Sequence, residues 1–203
     1  MGGGSSSSYS LTTHNNGDYV LLEMVVNTHA ATGVSGGGCT WTQVSTTVSL
    51  PNLGGTGGAG FGNVWLGKVT SAGTASATVT FAASLGGSNS RFVAREFSTT
   101  TGVAAFDVQG SVTSPTANWA SLTPSGVGEL YWGYCEDDAS AVAGSTPGFV
   151  YETDVNENGE GYCLNVSSAY TPVWGDSTMQ AGVMVLIREI FLPPAYTASM
   201  SSM

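Results

Sequence analysis

The residues able to do chemistry are few and far apart. The 203-residue chain has two histidines, His14 in an Asn-rich segment and His29 just after an apolar run. Neither has a metal-ligand spacing around it, and no GxSxG elbow, P-loop or HExxH accompanies them. The glycine-dense run from Gly54 to Gly60 is not followed by Lys-Ser/Thr, so a phosphate cradle is unsupported. For hydrolysis the best pair is Glu129 with Glu152, on candidate neighbouring strands. Two carboxyls about 5–5.5 Å apart would suit a retaining glycosidase. Acids on an exposed sheet face are far commoner, and the chain reads as a non-enzyme.

Two further groups suggest binding rather than catalysis. Asp154-Val155-Asn156-Glu157-Asn158-Gly159-Glu160 follows D-x-N-x-N-G, the opening of an EF-hand-type Ca²⁺ loop, with Asp154, Asn156, Asn158 and Glu160 as ligands. The twelfth position is Asn165 instead of Glu, and strand-like sequence flanks the loop. The same residues suit a β-hairpin joining 149–155 to 162–167 with Asn158-Gly159 near its tip, and a calcium site could coexist with it. Glu136-Asp137-Asp138 is another cation candidate. Tyr131, Trp132 and Tyr134, with Trp41, Trp65, Trp119 and Trp174, could stack sugars as in sandwich lectins, or fill a core or subunit interface.

Composition narrows the field. Charged residues are 9% of the chain, against roughly 25% in ordinary soluble domains. Lys68, Arg91, Arg95 and Arg188 face 14 acids, a net charge of −10. That leaves nothing to neutralise phosphates and argues against nucleic acid and anionic membranes. Ten of the acids lie within 129–189, as a solubilising face or a surface for cations or a basic partner. Cys39, Cys135 and Cys163 form neither a disulfide framework nor a zinc pattern. Free thiols from a reducing cytoplasm are the simplest account, with Cys135–Cys163 possible if their strands are neighbours. No signal-peptide pattern is visible. The longest apolar stretch, 183–187, is far too short to span a bilayer, so a soluble protein is expected.

The elements must position these groups. Segments 18–27, 40–49, 62–70, 75–83, 91–97, 129–135, 149–155, 162–167 and 181–189 have strand composition, and 75–83 alternates cleanly. No helix-length window shows the 3.6-residue period. The expectation is an all-β fold, an antiparallel two-sheet sandwich, jelly-roll-like, with flexible N- and C-terminal arms. Residues 1–16 form the N-terminal arm, 17–191 the sandwich domain and 192–203 the C-terminal tail. Tyr9, Leu11, Phe191, Leu192 and Tyr196 put apolar side chains into both arms, where a neighbouring subunit could supply the groove.

The run Gly17-Asp18-Tyr-Val-Leu-Leu-Glu-Met-Val-Val, followed by Val34-Ser-Gly-Gly-Gly-Cys-Thr-Trp41-Thr-Gln-Val44, resembles sandwich domains of actinobacteriophage minor tail and other virion proteins. The similar order continues through Val64-Trp65-Leu-Gly-Lys-Val69, Ala77-Thr-Val-Thr-Phe81 and Val93-Ala-Arg-Glu-Phe97 to Val183-Met-Val-Leu-Ile-Arg188, loosely covering 17–189. The resemblance implies a head decoration or minor tail protein, assembled in the host bacterial cytoplasm and resident in the virion. Its partners would be capsid or tail proteins and other copies of itself. A carbohydrate-binding module or adhesin recognising host-surface glycans is the alternative.

Overall fold

A computed structural model describes residues 5–53, 58–85, 90–137, 140–153, 158–189, 191–192 and 199–202. These form strands and connecting loops with no helix. The strands are β1 (Ser6–Thr13), β2 (Tyr19–Asn27), β3 (Ala31–Gly36), β4 (Cys39–Gln43), β5 (Val48–Leu53), β6 (Gly58–Val69), β7 (Gly73–Phe81) and β8 (Ser90–Thr99). They continue as β9 (Ala105–Val112), β10 (Glu129–Asp137), β11 (Phe149–Thr153), β12 (Gly159–Val166), β13 (Met179–Arg188), β14 (Phe191–Leu192) and β15 (Ser199–Ser202).

The expected antiparallel sandwich is present, with a third sheet as an added layer. The first sheet runs β15-β1-β7-β3, the central sheet β14-β8-β2-β6-β4 with β5 also on β6, and the third β11-β12-β10-β13-β9. The central sheet is covered on both faces, which explains why β2 is apolar at nearly every position. Val20, Leu22, Met24 and Val26 meet Leu11, Ala77, Val79 and Phe81 of the first sheet. Tyr19 and Leu21 meet Leu130, Trp132, Val183 and Val185 of the third. The outer face of the third sheet is covered by loops. Residues 116–122 and 170–174 bridge to one another there and bury Trp119, Leu122 and Trp174.

Several expected boundaries change. Segment 40–49 is two strands, both on one edge of β6. Between them the Ser45 hydroxyl accepts the Val64 N–H at 2.7 Å, in place of a ladder bond. The N-terminal arm is not free: β1 pairs with β7 from Ser6↔Thr80 to Thr13↔Gly73. Leu11 is wholly buried in the first interlayer core, so it has no surface for a partner, and Tyr9 packs beside it on Phe92. The C-terminal tail also pairs within the chain. Phe191 and Leu192 lie opposite Thr99 and Ser98, and β15 opposite β1. Tyr196 lies outside the described residues.

The Gly36-Gly37-Gly38 run has a physical reason. All three residues have φ near +70° in the β3–β4 turn, a conformation that only glycine adopts cheaply. A Cβ at Gly36 or Gly38 would also strike the carbonyl oxygen of Ser76 or Ser71. Just beyond the turn, the Trp41 indole N–H donates to the Gly36 carbonyl at 2.9 Å.

Candidate functional site

Most of the polar chemistry lies between layers. On β2, Glu23 points from the central sheet into the third. Its carboxyl accepts the N–H groups of Tyr134 at 2.9 Å and Val183 at 2.7 Å, register partners on β10 and β13. Burial raises its pKa well above the ordinary range; the two hydrogen bonds offset this in part, and the charge of Glu160 adds to the rise. Residues Arg95 and Glu96 of β8 point to opposite faces. Arg95, 2% exposed, donates to both carboxyl oxygens of Glu160, at 2.6 and 2.9 Å, and also to Glu152. The Trp132 indole N–H donates to Glu160 at 2.9 Å, and the guanidinium lies 5.1 Å from the Tyr162 ring centre. Glu96 faces the first sheet, where it accepts the backbone N–H groups of His14 and Asn15 and contacts the His14 ring at 2.8 Å.

This geometry relocates the residues expected to act. His14 is held by Glu96. Glu129 and Glu152 are not on neighbouring strands, because β12 lies between β10 and β11. Glu152 binds Arg95, and Glu129 has Asp107 as its acidic neighbour. The hairpin is present, with Thr153 opposite Gly159. Asp154 and Asn156 lie outside the described residues. The other two proposed calcium ligands are engaged elsewhere: Glu160 with Arg95, and Asn158, whose side-chain oxygen accepts the Asp137 N–H at 3.0 Å. Glu160 turns into the core. Trp65, Trp119, Trp132 and Trp174 are all buried, leaving Trp41 half-exposed. Cys135 and Cys163 are free, and their register explains it: Cys163 faces Tyr131 and Cys135 faces Gly159. Four residues of strand separate them by about 13 Å, beyond disulfide reach.

Two arrangements could still meet another molecule or hold a proton. Asp107 accepts the Ser125 N–H at 2.7 Å and its hydroxyl at 2.6 Å. Burial opposes its charge, but Ser125, Glu129 and Arg188 more than offset this and lower its pKa. Burial raises the pKa of Glu129, with the Asp107 charge adding to the rise against a hydrogen bond from the Gly126 N–H. Glu129 Oε2 is buried without a protein donor, an arrangement that a proton shared with Asp107 satisfies. Such a split pair is the pattern of an acid beside a base. Glu129 is only 1% exposed, so a substrate atom has no path to it in this conformation.

The second arrangement is an open groove of about 550 Å³ where the β4 end of the central sheet runs past the start of β9. Thr40, Thr42, Gln43 and Thr70 line it, with Lys68 and Phe106. Tyr19 and Lys68 anchor its end by donating to the Gly102 carbonyl, at 3.0 and 3.1 Å.

Sequence reasoning passed over Glu23, Arg95 and Asp107. Glu23 carried a legible signal as the one acid in a strand apolar on both faces. No protein-family model matches the chain, and no curated protein or solved structure is significantly similar to it.

Proposed function

We propose that this protein is a non-enzymatic structural subunit of a bacteriophage particle, a head decoration or minor tail protein, held by contacts with capsid or tail proteins and with its own copies. The bacteriophage part of this reading draws on the resemblance over residues 17–189. The contact part draws on one observation, the outer face of the first sheet. Ser6, Ser8, Ser10 and Thr12 of β1 stand in register with Thr80, Thr78, Ser76 and Thr74 of β7. No charged residue occurs in β1, β3 or β7. Hydroxyls there already pair with each other, Ser8 with Thr78 at 3.1 Å and Thr12 with Thr74 at 2.9 Å. Covering such a face requires little desolvation, whereas burying unpaired charges costs several kcal/mol per ion. In a chain of net charge −10 it is the natural face for close packing against protein.

The direct test is co-purification with intact particles at a fixed copy number. Ser76→Lys, at an exposed position of β7, should leave the melting temperature within about 2–3 °C, and sharply reduce incorporation. Equal incorporation of the variant, or no association with particles, would replace this reading. Glycan binding is the second reading, favoured by the threonine-lined groove with Lys68 and Phe106. Retention on host envelope glycan by the isolated protein, lost in Thr42→Val, would select it. Turnover of glycoside, ester or peptide substrates that vanishes in Glu129→Gln or Asp107→Asn would select an enzyme.

A further inference from the structure

We propose that β15 is an exchangeable strand, which in the assembled state adds to β1 of a neighbouring copy of this chain. The proposal rests on the particle reading above and names the partner of the first sheet's outer edge. In the closed chain, β15 is the outermost strand of that sheet and pairs with β1 alone, from Thr12↔Ser199 to Tyr9↔Ser202. Without it, β1 would present a row of unpaired N–H and C=O groups, a template for any incoming strand. The preceding strand, β14, belongs to a different sheet, where it holds the β8 edge of the central layer. The chain therefore leaves one sheet at Leu192 and joins another at Ser199.

The sequence between these points contains Pro193 and Pro194. Each proline fixes its own φ and disfavours helical backbone at the residue before it. Seven residue steps span at most about 24 Å. A neighbouring β1 within that distance of Leu192 receives the same four residues in the same register. Closed and exchanged forms then share their backbone hydrogen bonds and differ mainly in connection entropy, which makes strand exchange an inexpensive route to assembly. Concentration decides between them. A short connection holds β15 near its own β1 at an effective concentration of order millimolar. Free protein at micromolar concentration closes on itself, whereas subunits held side by side on a particle match the internal competitor.

The test mixes two full-length proteins in a Cys39→Ser background, one carrying Ser10→Cys and the other Ser201→Cys. Positions 10 and 201 are register partners, so a mixed 10–201 disulfide between two chains forms only where β15 has crossed. After joint unfolding and refolding at about 1 mM, or in isolated particles, oxidation should give this heterodimer, identified by its disulfide peptide. At about 1 µM it should be absent, as the effective-concentration argument requires. Met200→Pro in the Ser201→Cys chain removes a backbone donor within β15 and should abolish the heterodimer. If a single chain carrying both Ser10→Cys and Ser201→Cys forms only its intrachain disulfide at every concentration and in particles, exchange is wrong. The pair Thr12→Cys with Ser199→Cys, also in register, serves if the first pair fails to fold. Particle association with intrachain disulfides alone would overturn exchange and leave the particle reading standing. Exchange in purified protein that never joins particles would do the reverse.

Discussion

Glu23, Glu129 and Glu160 lie almost entirely out of water, and each manages its charge differently. Glu160 has a cation, Glu23 has two backbone N–H groups, and Glu129 shares a site with Asp107. The first arrangement is costly to break. Arg95→Met leaves Glu160 buried without its partner and should cost about 3–5 kcal/mol in urea unfolding. Adding Glu160→Leu should recover much of that loss, because removing both charges removes the desolvation problem. The other two acids set a pH dependence. Burial raises the folded pKa of Glu23 and of Glu129 above the ordinary 4.5. Each binds its proton more tightly folded than unfolded. Their stabilisation is therefore complete below pH 4.5 and is lost as pH rises through the folded values. Asp107, with its pKa lowered, acts in the opposite sense and gives up its share only as pH falls below 3.8. The urea midpoint should accordingly fall as pH rises above 4.5, and Glu23→Gln should flatten that slope. The same variant should lose about 1–3 kcal/mol near pH 5, because its NH₂ group faces a backbone donor. An unchanged slope would mean that Glu23 does not titrate in this range. Burial also raises all three thiols, Cys39 to about 12 with help from Glu96. Native protein at pH 8 should therefore react with a thiol reagent far more slowly than unfolded protein.

Strand Gly58–Val69 shows how an element can be set by its neighbour's side chain. Gly67 lies under the Trp41 ring, where an added Cβ would sit 2.7 Å from the ring carbons. Gly67→Val should lift Trp41 off the sheet, red-shift tryptophan emission and cost about 1–3 kcal/mol through overpacking. Unchanged emission would place the ring elsewhere. The strands legible in the sequence were those whose two faces differ, such as Ala77, Val79 and Phe81 against Thr78 and Thr80, or those buried on both faces, such as β2. Strand β1 escaped notice because serine or threonine occupies its outward positions and serine also position 7, so that only Tyr9, Leu11 and Thr13 mark the inner face. In β9 the alternation of Phe106, Val108 and Val112 with Asp107, Gln109 and Ser111 was present and overlooked. The hairpin after Thr153 was legible because its two strands are close in sequence, although Gly159, expected near its tip, is already paired in β12 opposite Thr153. The Arg95–Glu160 contact was not, because it depends on how β8 and β12 meet across two layers, 65 residues apart in sequence.

At the scale of the whole molecule, three stacked sheets place one sheet between the other two. Strands β2 and β6 are inner strands of that sheet, and their side chains contribute to the cores on both sides. Strands β15, β3, β11 and β9 are outermost in the flanking sheets. Opening β2 exposes the cores on both sides of the central sheet, so its amides should exchange only through global unfolding. Opening β15 breaks pairing to β1 alone, so its amides should exchange through local fraying. Native-state hydrogen exchange should therefore rank β2 and β6 slowest, β7 and β13 next, and β15 fastest. Glu23→Gln tests the link between layers within the same measurement. If the Glu23 carboxyl joins the central and third sheets into one cooperative unit, its loss should accelerate β10 and β13 more than β1 and β7. If every strand accelerates equally, the variant lowers global stability without loosening that interface, and the bridge has no local role. If β10 and β13 already exchange much faster than β2 in the unaltered protein, the layers open separately and the single cooperative unit inferred from burial is wrong.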